Sequence, residues 1–256
     1  MLKNRLLPQS FTADDDLKVM GSAPQQTLGP VMRCLLWNIL KAKRSNWLSD
    51  FSHLIADRDI VMLQEAVFNA PSDPLFTKSE RFEWVMARSF KDPLSQKEHG
   101  VKTGSSACAI ERHFYMSPHT EPVMQTQKLI LTTLYPLANS DEQLLVLNMH
   151  AINFVSVKKY AQQLKQLSVA LGQHTGPVIL GGDFNTWTPV RHALFLDVTR
   201  RAGLEEANMK RRTRMTHMNQ HLDHLFYRGL TLRCVESLPD YYSSDHAPIT
   251  ATFEFP

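Results

Sequence analysis

The sequence is poor in cysteine. Its three cysteines, Cys34, Cys108 and Cys234, lie far apart, are odd in number and form no CxxC pair. Disulfide-rich secreted domains and structural zinc sites depend on closely spaced cysteines, often combined with histidines. We therefore expect reduced thiols without a disulfide framework, and we expect no zinc site.

The sequence also lacks a long apolar run. No segment approaches the roughly 18 consecutive apolar residues that are needed to cross a bilayer. The first residues, MLKNRLLPQSF, have no apolar signal core and are soon followed by consecutive aspartates at residues 14–16. These features predict no membrane span and a cytoplasmic location.

Charge of one sign is not in strong excess either. The formal net charge of +3 is compatible with a polyanionic partner but does not argue for one. Hydrophobic residues make up 43% and charged residues 21%, which is typical of a soluble globular domain. Because no repeat or linker divides the chain, we predict one domain over residues 31–256. Residues 1–30 are predicted to be an N-terminal arm or peripheral loop, and we expect a monomer.

The hydrophobic pattern alternates between strands and helices. VMRCLLWNI, from residue 31, is an apolar run of strand length, a helical pattern follows at residues 45–59, and DIVMLQEA is a second buried strand. Further strands are predicted at about residues 106–110, 128–135, 144–150 and 177–183. Helices are predicted after residue 157, ending at Gly172, and from an N-cap at Thr188 to Gly203. This alternation favours a layered α/β fold.

Polar clusters lie at the ends of the predicted strands. Five apolar strands end in Asn, Asp, Glu or His, and a sixth such cluster immediately precedes a strand. One cluster alone is usually a turn, but strand ends are also where layered α/β folds gather ligand sites. Six clusters together favour a metal-assisted hydrolytic site. They are Asn38, Glu65, Asn148 with His150, Asp183 with Asn185, Asp223 with His224, and Asp245 with His246.

In this order the clusters resemble the motifs of the endonuclease/exonuclease/phosphatase superfamily. The matching segments are WNI (37–39), LQE (63–65), NMH (148–150), GGDFN (181–185), LDH (222–224) and SDHAP (244–248). The chain as a whole also resembles a small bacterial, YafD-like branch. The resemblance implies a DNase I-like, four-layer α/β/β/α sandwich, in which two mixed β-sheets pack face to face with helices outside.

The resemblance also implies a metal site. Glu65 is the expected ligand, with Asn38 and Asp245 beside it, directly or through water. Mg²⁺ prefers oxygen ligands and needs only one or two carboxylates. We therefore expect Mg²⁺, for which Mn²⁺ could substitute.

The same resemblance implies catalytic roles, which are carried over from the family position by position. Asp183 is expected to orient or deprotonate the attacking water, Asn185 to hold a phosphate oxygen, and His246 to contact the scissile phosphate. Whether Asp183 or His246 is the base stays open. Asp223 would accept a hydrogen bond from His246, and His150, oriented by Asn148, would stabilise the transition state or protonate the leaving oxygen.

Substrate contacts are suggested by basic and aromatic residues near the motifs. Lys41, Lys43 and Arg44 follow Asn38, and residues 210–214 form a second basic stretch before Asp223. A basic run is usually only a solvated surface, but these two adjoin catalytic motifs and could form a cationic rim. Trp187 could stack on a base. Arg112 is a candidate phosphate contact, although a surface role is favoured for it.

Three functions remain open from the sequence. The first is a Mg²⁺-dependent phosphodiesterase that acts on nucleic acid. The second is the same chemistry on a lipid phosphodiester or a small soluble phosphate ester, although no apolar hairpin favours a lipid. The third is a binding protein that has kept the fold without turnover.

Overall fold

The first of two β-sheets has eight strands among the residues that this computed structural model describes, which are 7–11, 17–209, 216–217 and 220–256. Its hydrogen-bonded order is β1-β5-β6-β4-β3-β16-β15, and β2 also pairs with β5. The strands are β1 (Gln9–Ser10), β2 (Leu17–Gly21), β3 (Val31–Asn38), β4 (Ile60–Phe68), β5 (Glu83–Lys91), β6 (Glu98–Ser105), β15 (Thr231–Ser237) and β16 (Ile249–Glu254).

The second sheet has six strands within the described ranges, in the order β11-β14-β10-β9-β8-β7. In each sheet one pair of neighbours is parallel, β3 with β4 and β9 with β10, so both sheets are mixed. The strands are β7 (Glu111–Met116), β8 (Leu129–Pro136), β9 (Gln143–His150), β10 (Val178–Asp183), β11 (Glu205–Glu206) and β14 (Asp223–Arg228), and β12 (Thr216–His217) with β13 (Gln220–His221) forms a separate pair.

Helices cover the outer face of each sheet. α1 (Trp47–Leu54) and α2 (Pro74–Thr77) pack on the first sheet, and α3 (Val157–Gly172) and α4 (Pro189–Arg201) pack on the second. A short 3-10 helix, Leu40–Ala42, follows β3. No helix in the described part of the chain is long and apolar enough to span a membrane. The predicted four-layer α/β/β/α sandwich is confirmed.

Alternation of side chains explains why these strands are apolar throughout. On β3, Cys34 and Leu36 point into the core between the sheets, whereas Leu35 and Trp37 pack with Phe51 of α1 on the outer side. A strand that is covered on both faces must be apolar at every position. The same alternation brings the polar residue at each strand end to the rim of the core between the sheets.

Two sequence predictions differ from the structure. The segment that was expected to be an arm or peripheral loop contributes β2, which pairs with β5 at the sheet edge. The strand expected near residues 106–110 is a loop, and β6 precedes it. β6 has a weak strand pattern because Gly100 and Gly104 interrupt it, but its neighbours require glycine. A Cβ on Gly100 would lie only 1.9 Å from the backbone oxygen of Ala87 in β5.

β6 also carries a buried lysine. Lys102 is fully buried, its Nζ donates to the carbonyl oxygen of Val67, and it lies 3.7 Å from the ring centroid of Phe76. None of the described carboxylates forms an ion pair with it. Burial is the main cause that lowers the pKa of Lys102 from 10.5 to about 7. The folded protein therefore binds this proton more weakly than the unfolded chain does.

We predict that Lys102→Met removes a pH dependence of stability. Between pH 7 and pH 10 the unfolded chain keeps the lysine proton and the folded protein loses it, so the wild type gains stability as the pH rises. The free energy of unfolding of the wild type, relative to Lys102→Met, should rise by about 3 kcal/mol over this interval. Urea unfolding of both proteins at the two pH values measures the difference. If the difference in unfolding free energy between the two proteins does not change with pH, Lys102 is not a buried amine without an ion pair.

Candidate active site

The polar strand ends meet at one edge of the sandwich. In the second sheet Asp183 is paired in register with His150 of β9 on one side and with Asp223 of β14 on the other. In the first sheet Asn38 ends β3 and is in register with Gln64 of β4. All of these side chains are nearly or fully buried. The two sheets thus place carboxylate, imidazole and amide groups together at the rim of their shared core.

Asp183 is the centre of this cluster. Its Oδ2 accepts a hydrogen bond from Asn38 Nδ2 at 3.0 Å, and it lies 3.6 Å from His150 Nε2 and 3.8 Å from His246 Nε2. Its Oδ1 accepts from the backbone N–H of Asn185 at 3.1 Å. Burial raises the pKa of Asp183, and the neighbouring His246 opposes that rise. A carboxylate in this setting is a stronger base than one in water.

His246 and Asp223 form a tight pair. His246 Nδ1 donates to Asp223 Oδ2 at 2.7 Å. Burial alone would lower the pKa of His246, but the charge and hydrogen bond of Asp223, followed by the charges of Asp183 and Asp245, raise it to about 10. His246 is therefore an imidazolium at neutral pH.

Two residues hold His246 in place. Trp37 Nε1 donates to the carbonyl oxygen of His246 at 2.8 Å. Ser244 Oγ donates to the carbonyl oxygen of Asn38 at 2.6 Å and accepts from the backbone N–H of His246 at 3.2 Å. The loop before β16 is thus fixed to the end of β3. Trp37 of the WNI motif and Ser244 of SDHAP position His246, a role that the sequence reasoning did not assign to them.

His150 differs from His246 in its protonation. Burial, followed by the charges of Lys128, His246 and Lys41, lowers the pKa of His150 well below 6.5. At neutral pH it is a neutral imidazole. It can donate a hydrogen bond to a developing charge, but as a proton donor it is weaker than the sequence analysis supposed.

The two predicted asparagines have different positions. Asn185 lies beside Asp183 with a φ of 50°, and its Nδ2 donates to the carbonyl oxygen of Ala151 at 2.9 Å. Asn148 is fully buried beneath the site, where its Nδ2 donates to the carbonyl oxygen of Lys102 at 2.8 Å. Its Oδ1 accepts from Gln64 Nε2 at 2.6 Å. Asn148 therefore joins the two sheets, and these contacts do not include the expected one to His150.

Glu65 lies at a β-bulge, where the regular geometry of β4 is interrupted. The register of β4 against β6 shifts between Leu63 and Ala66, and Glu65 has a φ of 50°. Bulges commonly redirect a side chain next to an active site. Glu65 and His150 line the same cleft, which has a volume of about 160 Å³. The bulge thus turns Glu65 toward the catalytic cluster.

Comparison with known proteins identifies the family. The model of the endonuclease/exonuclease/phosphatase family matches residues 35–246. The chain belongs to this family. A UPF0294 protein of Vibrio parahaemolyticus is 33% identical over 229 residues, which cover 87% of this chain and 77% of that protein. This similarity agrees with the small bacterial branch that the motifs indicate.

Solved structures show the same family fold. The catalytic domain of human Nocturnin, with a bound sulfate anion, has a TM-score of 0.64 at 17% identity, covering 94% of this chain and 97% of that one. A mannosyl-6-phosphatase of Bacteroides thetaiotaomicron has a TM-score of 0.63 at 15% identity, covering 88% and 100%. At these identities the likeness shows the fold alone. Members of the family are phosphodiesterases, nucleases or phosphatases, and they generally depend on a divalent metal.

The donor atoms near Glu65 fit the metal that this family uses. Glu65 supplies a carboxylate, Asn38 an amide oxygen on the neighbouring strand, and Asp245 an exposed carboxylate, and oxygen ligands of this kind suit Mg²⁺ or Mn²⁺. Ligand atoms of Asp183, Asp223 and His246 also lie within 4.8 Å of one another. In this second group His246 Nδ1 and Asp223 Oδ2 are already joined by a hydrogen bond.

Arg112, the predicted phosphate contact, is not at the family site. It lies on β7, where its NH2 contacts both carboxylate oxygens of Glu83 at 2.7 and 2.8 Å. Its register partner in β8 is Thr133, which pairs with Val146 of β9, four residues before His150. Four strand residues span about 13 Å. The structure therefore corrects this prediction, because Arg112 is a paired residue toward the other end of the sandwich.

Trp187 lies next to the site, and Arg191 holds the loops around it. Trp187 Nε1 donates to Asn153 Oδ1 at 2.8 Å. The buried guanidinium of Arg191 lies 5.0 Å from the Trp187 ring and donates to the carbonyl oxygens of Asn185 and Val155. The sequence analysis missed Arg191 because an arginine in the first turn of a helix resembles a surface residue.

The basic residues after Asn38 lie beside the family motifs. Lys43 is exposed. Arg44 is also exposed, and its NH1 donates to the carbonyl oxygens of Ser244, at 2.8 Å, and of Tyr242. The second basic stretch, at residues 210–214, lies outside the described residues. His224 of the LDH motif points away from the site and bonds to Glu206 at 2.8 Å.

Proposed function

We propose that this protein is a metal-dependent phosphodiesterase that acts on nucleic acid. The observation that supports this most is the arrangement around Asp183, where a buried carboxylate faces both a neutral and a charged imidazole. Such an arrangement can accept a proton from water and stabilise a negatively charged phosphate at the same time.

The proposed chemistry begins with water beside Asp183. Asp183 Oδ2 accepts the proton of the water that attacks phosphorus, and Asn38 Nδ2 keeps this carboxylate oriented. The imidazolium of His246 donates from Nε2 to a phosphate oxygen, while Asp223 holds Nδ1. As the bond between phosphorus and the leaving oxygen breaks, His150 donates a hydrogen bond to the charge that develops on the phosphate or the leaving oxygen, and the leaving oxygen takes its proton from solvent.

The metal would be held by Glu65, with Asn38 and Asp245 beside it. Mg²⁺ bound there would neutralise charge on the phosphate oxygens and polarise the phosphorus toward attack. Asn185 would donate the second hydrogen of its Nδ2 to a phosphate oxygen, since the carbonyl oxygen of Ala151 accepts the first. Trp187 offers an aromatic surface for a base.

A phosphatase is the second candidate. The cleft beside Glu65 and His150 has a volume of about 160 Å³ and includes both Lys41 and the apolar ring of Phe90. This size suits a small phosphorylated compound as well as one nucleotide. The mannosyl-6-phosphatase of the same fold acts on a compound of the first kind, according to its name.

The proposed enzyme also has an expected domain organisation, oligomeric state and cellular location. We propose that residues 31–256 form one catalytic domain, to which β2 adds an edge strand, because the two sheets share a single core. We also propose a cytoplasmic location, where Cys34, Cys108 and Cys234 would stay reduced. The protein is proposed to act as a monomer.

A panel of substrates tests the proposed function. Purified protein with Mg²⁺ or Mn²⁺ is assayed on bis-p-nitrophenyl phosphate, p-nitrophenyl phosphate, single-stranded DNA, RNA, mannose 6-phosphate and sphingomyelin. We expect faster turnover of the diester than of the monoester, and cleavage of a nucleic acid. Preference for a monoester would favour the phosphatase, and no hydrolysis with either metal would contradict both candidates.

A further inference from the structure

A groove lined by positive charge adjoins the cleft that Glu65 and His150 line, which is called the catalytic cleft below. Four cations line this cationic groove, Lys41, Lys43, Arg44 and Lys97, together with small and apolar residues, and its volume is about 470 Å³. No carboxylate lines it, and all of its lining residues are among those described. Lys41 lines the catalytic cleft as well. The groove and the cleft of Glu65 and His150 therefore meet at Lys41.

The lysines of the groove have no counter-charge of their own. Some surface cations are paired, such as Lys18 with Glu98 at 3.3 Å and Lys128 with Glu121 at 3.6 Å. Over the described ranges, Lys41, Lys43 and Lys97 form no ion pair. Like charges held close together repel one another, so this arrangement favours the binding of an anion.

The positive charge of Lys41 acts on two buried histidines. It contributes to the lowered pKa of His150 in the catalytic cleft and of His99, whose pKa burial lowers most, to about 4. Lys43 and Lys97 also contribute at His99. His99 is 7% exposed, and its Nδ1 has no hydrogen-bond partner among the described residues. Lys41, Lys43 and Lys97 thus produce one connected region of positive potential. The unpaired Nδ1 of His99 lies within its reach.

The backbone at Lys41 is held in an unfavourable conformation. Leu40, Lys41 and Ala42 have φ values of 47°, 59° and 53°, in the left-handed region that only glycine adopts freely. Asn38 stabilises this turn, because its Oδ1 accepts the backbone N–H of Leu40 at 3.2 Å. Strain of this kind commonly persists at ligand-binding segments. Here it places Lys41 between the catalytic cleft and the cationic groove.

We propose that the cationic groove binds a second phosphate of the substrate, on the same molecule as the phosphate at Asp183. This inference rests on the proposed function, since it concerns the substrate of the same site. The second phosphate belongs either to the next nucleotide of a single strand or to a small bisphosphate. A substrate with one phosphate would leave the groove unused.

Binding without turnover tests this proposal. The affinity for fluorescein-labelled oligothymidylate is measured by fluorescence anisotropy in excess chelator, and a ribose bisphosphate is used as a competitor. The variant Lys41→Gln/Lys43→Gln/Lys97→Gln is compared with Lys158→Gln/Lys159→Gln/Lys165→Gln, which removes equal charge from exposed residues of α3. We expect Kd to rise at least tenfold for the groove variant and less than twofold for the α3 variant. The salt dependence should weaken by about 0.7 in log–log slope in the groove variant alone, as expected for the loss of one phosphate contact on a single strand.

The outcomes separate the possible sources of the phosphate. Loss of oligonucleotide binding supports a polynucleotide, and competition by the bisphosphate at similar concentration supports a small molecule. Equal weakening in both triple variants, or no binding of either ligand by the wild type, would overturn the proposal. If the groove variant does not fold, Lys43→Gln/Lys97→Gln leaves the strained turn unchanged and should still weaken binding at least threefold.

Turnover distinguishes failure of this inference from failure of the proposed function. Groove-dependent binding without hydrolysis of any diester would contradict the proposed function and leave the groove supported. Hydrolysis of oligonucleotide and of bis-p-nitrophenyl phosphate with kcat/KM reduced equally in the groove variant would contradict the groove alone. We expect the loss on oligonucleotide to exceed the loss on the small diester at least tenfold.

Discussion

Replacing Asp183 with asparagine should lower kcat/KM for Mg²⁺-dependent hydrolysis of bis-p-nitrophenyl phosphate by about 1,000-fold. The amide keeps the size of the side chain but cannot accept the proton of the attacking water. It also removes the negative charge that faces the imidazoles of His150 and His246 at 3.6 and 3.8 Å. Initial rates at several substrate concentrations measure the loss.

The matched control for this change is Asp197→Asn. Asp197 is on the surface of α4 and pairs with Arg201, so its loss should change kcat/KM by less than twofold. Circular dichroism and thermal unfolding show whether Asp183→Asn keeps the fold. A folded Asp183→Asn protein that retains more than a tenth of the wild-type rate would exclude Asp183 as the base.

Replacing Glu65 with glutamine should weaken binding of the metal that the enzyme requires. The neutral amide is a poorer ligand for a hard cation than a carboxylate. We expect the Mn²⁺ concentration for half-maximal activity to rise by about 100-fold, and Mn²⁺ binding measured by calorimetry to weaken in parallel. Chelation should abolish the activity of the wild type, and added Mg²⁺ should restore it.

Glu80→Gln is the comparison for this second prediction. Glu80 is exposed and is far in sequence from the motifs, so its substitution should leave the metal dependence unchanged. Activity that survives chelation, or equal metal dependence in the Glu65 and Glu80 variants, would show that Glu65 does not hold the metal.

Much of the site could be predicted because its residues stand at the ends of apolar strands. Asn38 and Asp183 end strands, and Asp223 begins one, in which most positions are buried. A polar residue there costs free energy unless it is paired, so its presence is informative. The alternation of side chains then predicts which of these residues share a face, and the order of the motifs indicates which strands meet.

Other residues could not be assigned from the sequence because tertiary contacts decide what they do. Asn148 has the spacing of a catalytic residue, but the amide of Gln64 in the other sheet turns it into a link between the sheets. Arg112 is a cation without a local partner in the sequence, and Glu83 supplies one from a distant strand. Arg191 contacts backbone carbonyl oxygens, which leave no pattern of residue types.

The secondary structure can likewise be divided into elements that local sequence patterns predict and elements that depend on tertiary contacts. Strands covered on both faces and helices with clear caps are visible as local patterns, and Thr188 accepts the backbone N–H of Arg191 as an N-cap should. β6 has no such pattern, since its glycines and Lys102 are accepted only because β4 and β5 enclose it. β2 is likewise an edge strand that depends on β5.

The most direct test of the account is hydrolysis of bis-p-nitrophenyl phosphate with Mg²⁺ in water enriched in oxygen-18. If the cluster around Asp183 directs water to phosphorus, mass spectrometry should find one heavy oxygen in the phosphate product and none in p-nitrophenol. A matched Asp183→Asn reaction should form about 1,000-fold less labelled phosphate product in the same time. Heavy oxygen in p-nitrophenol, or labelled phosphate formed equally well without Asp183, would contradict the account.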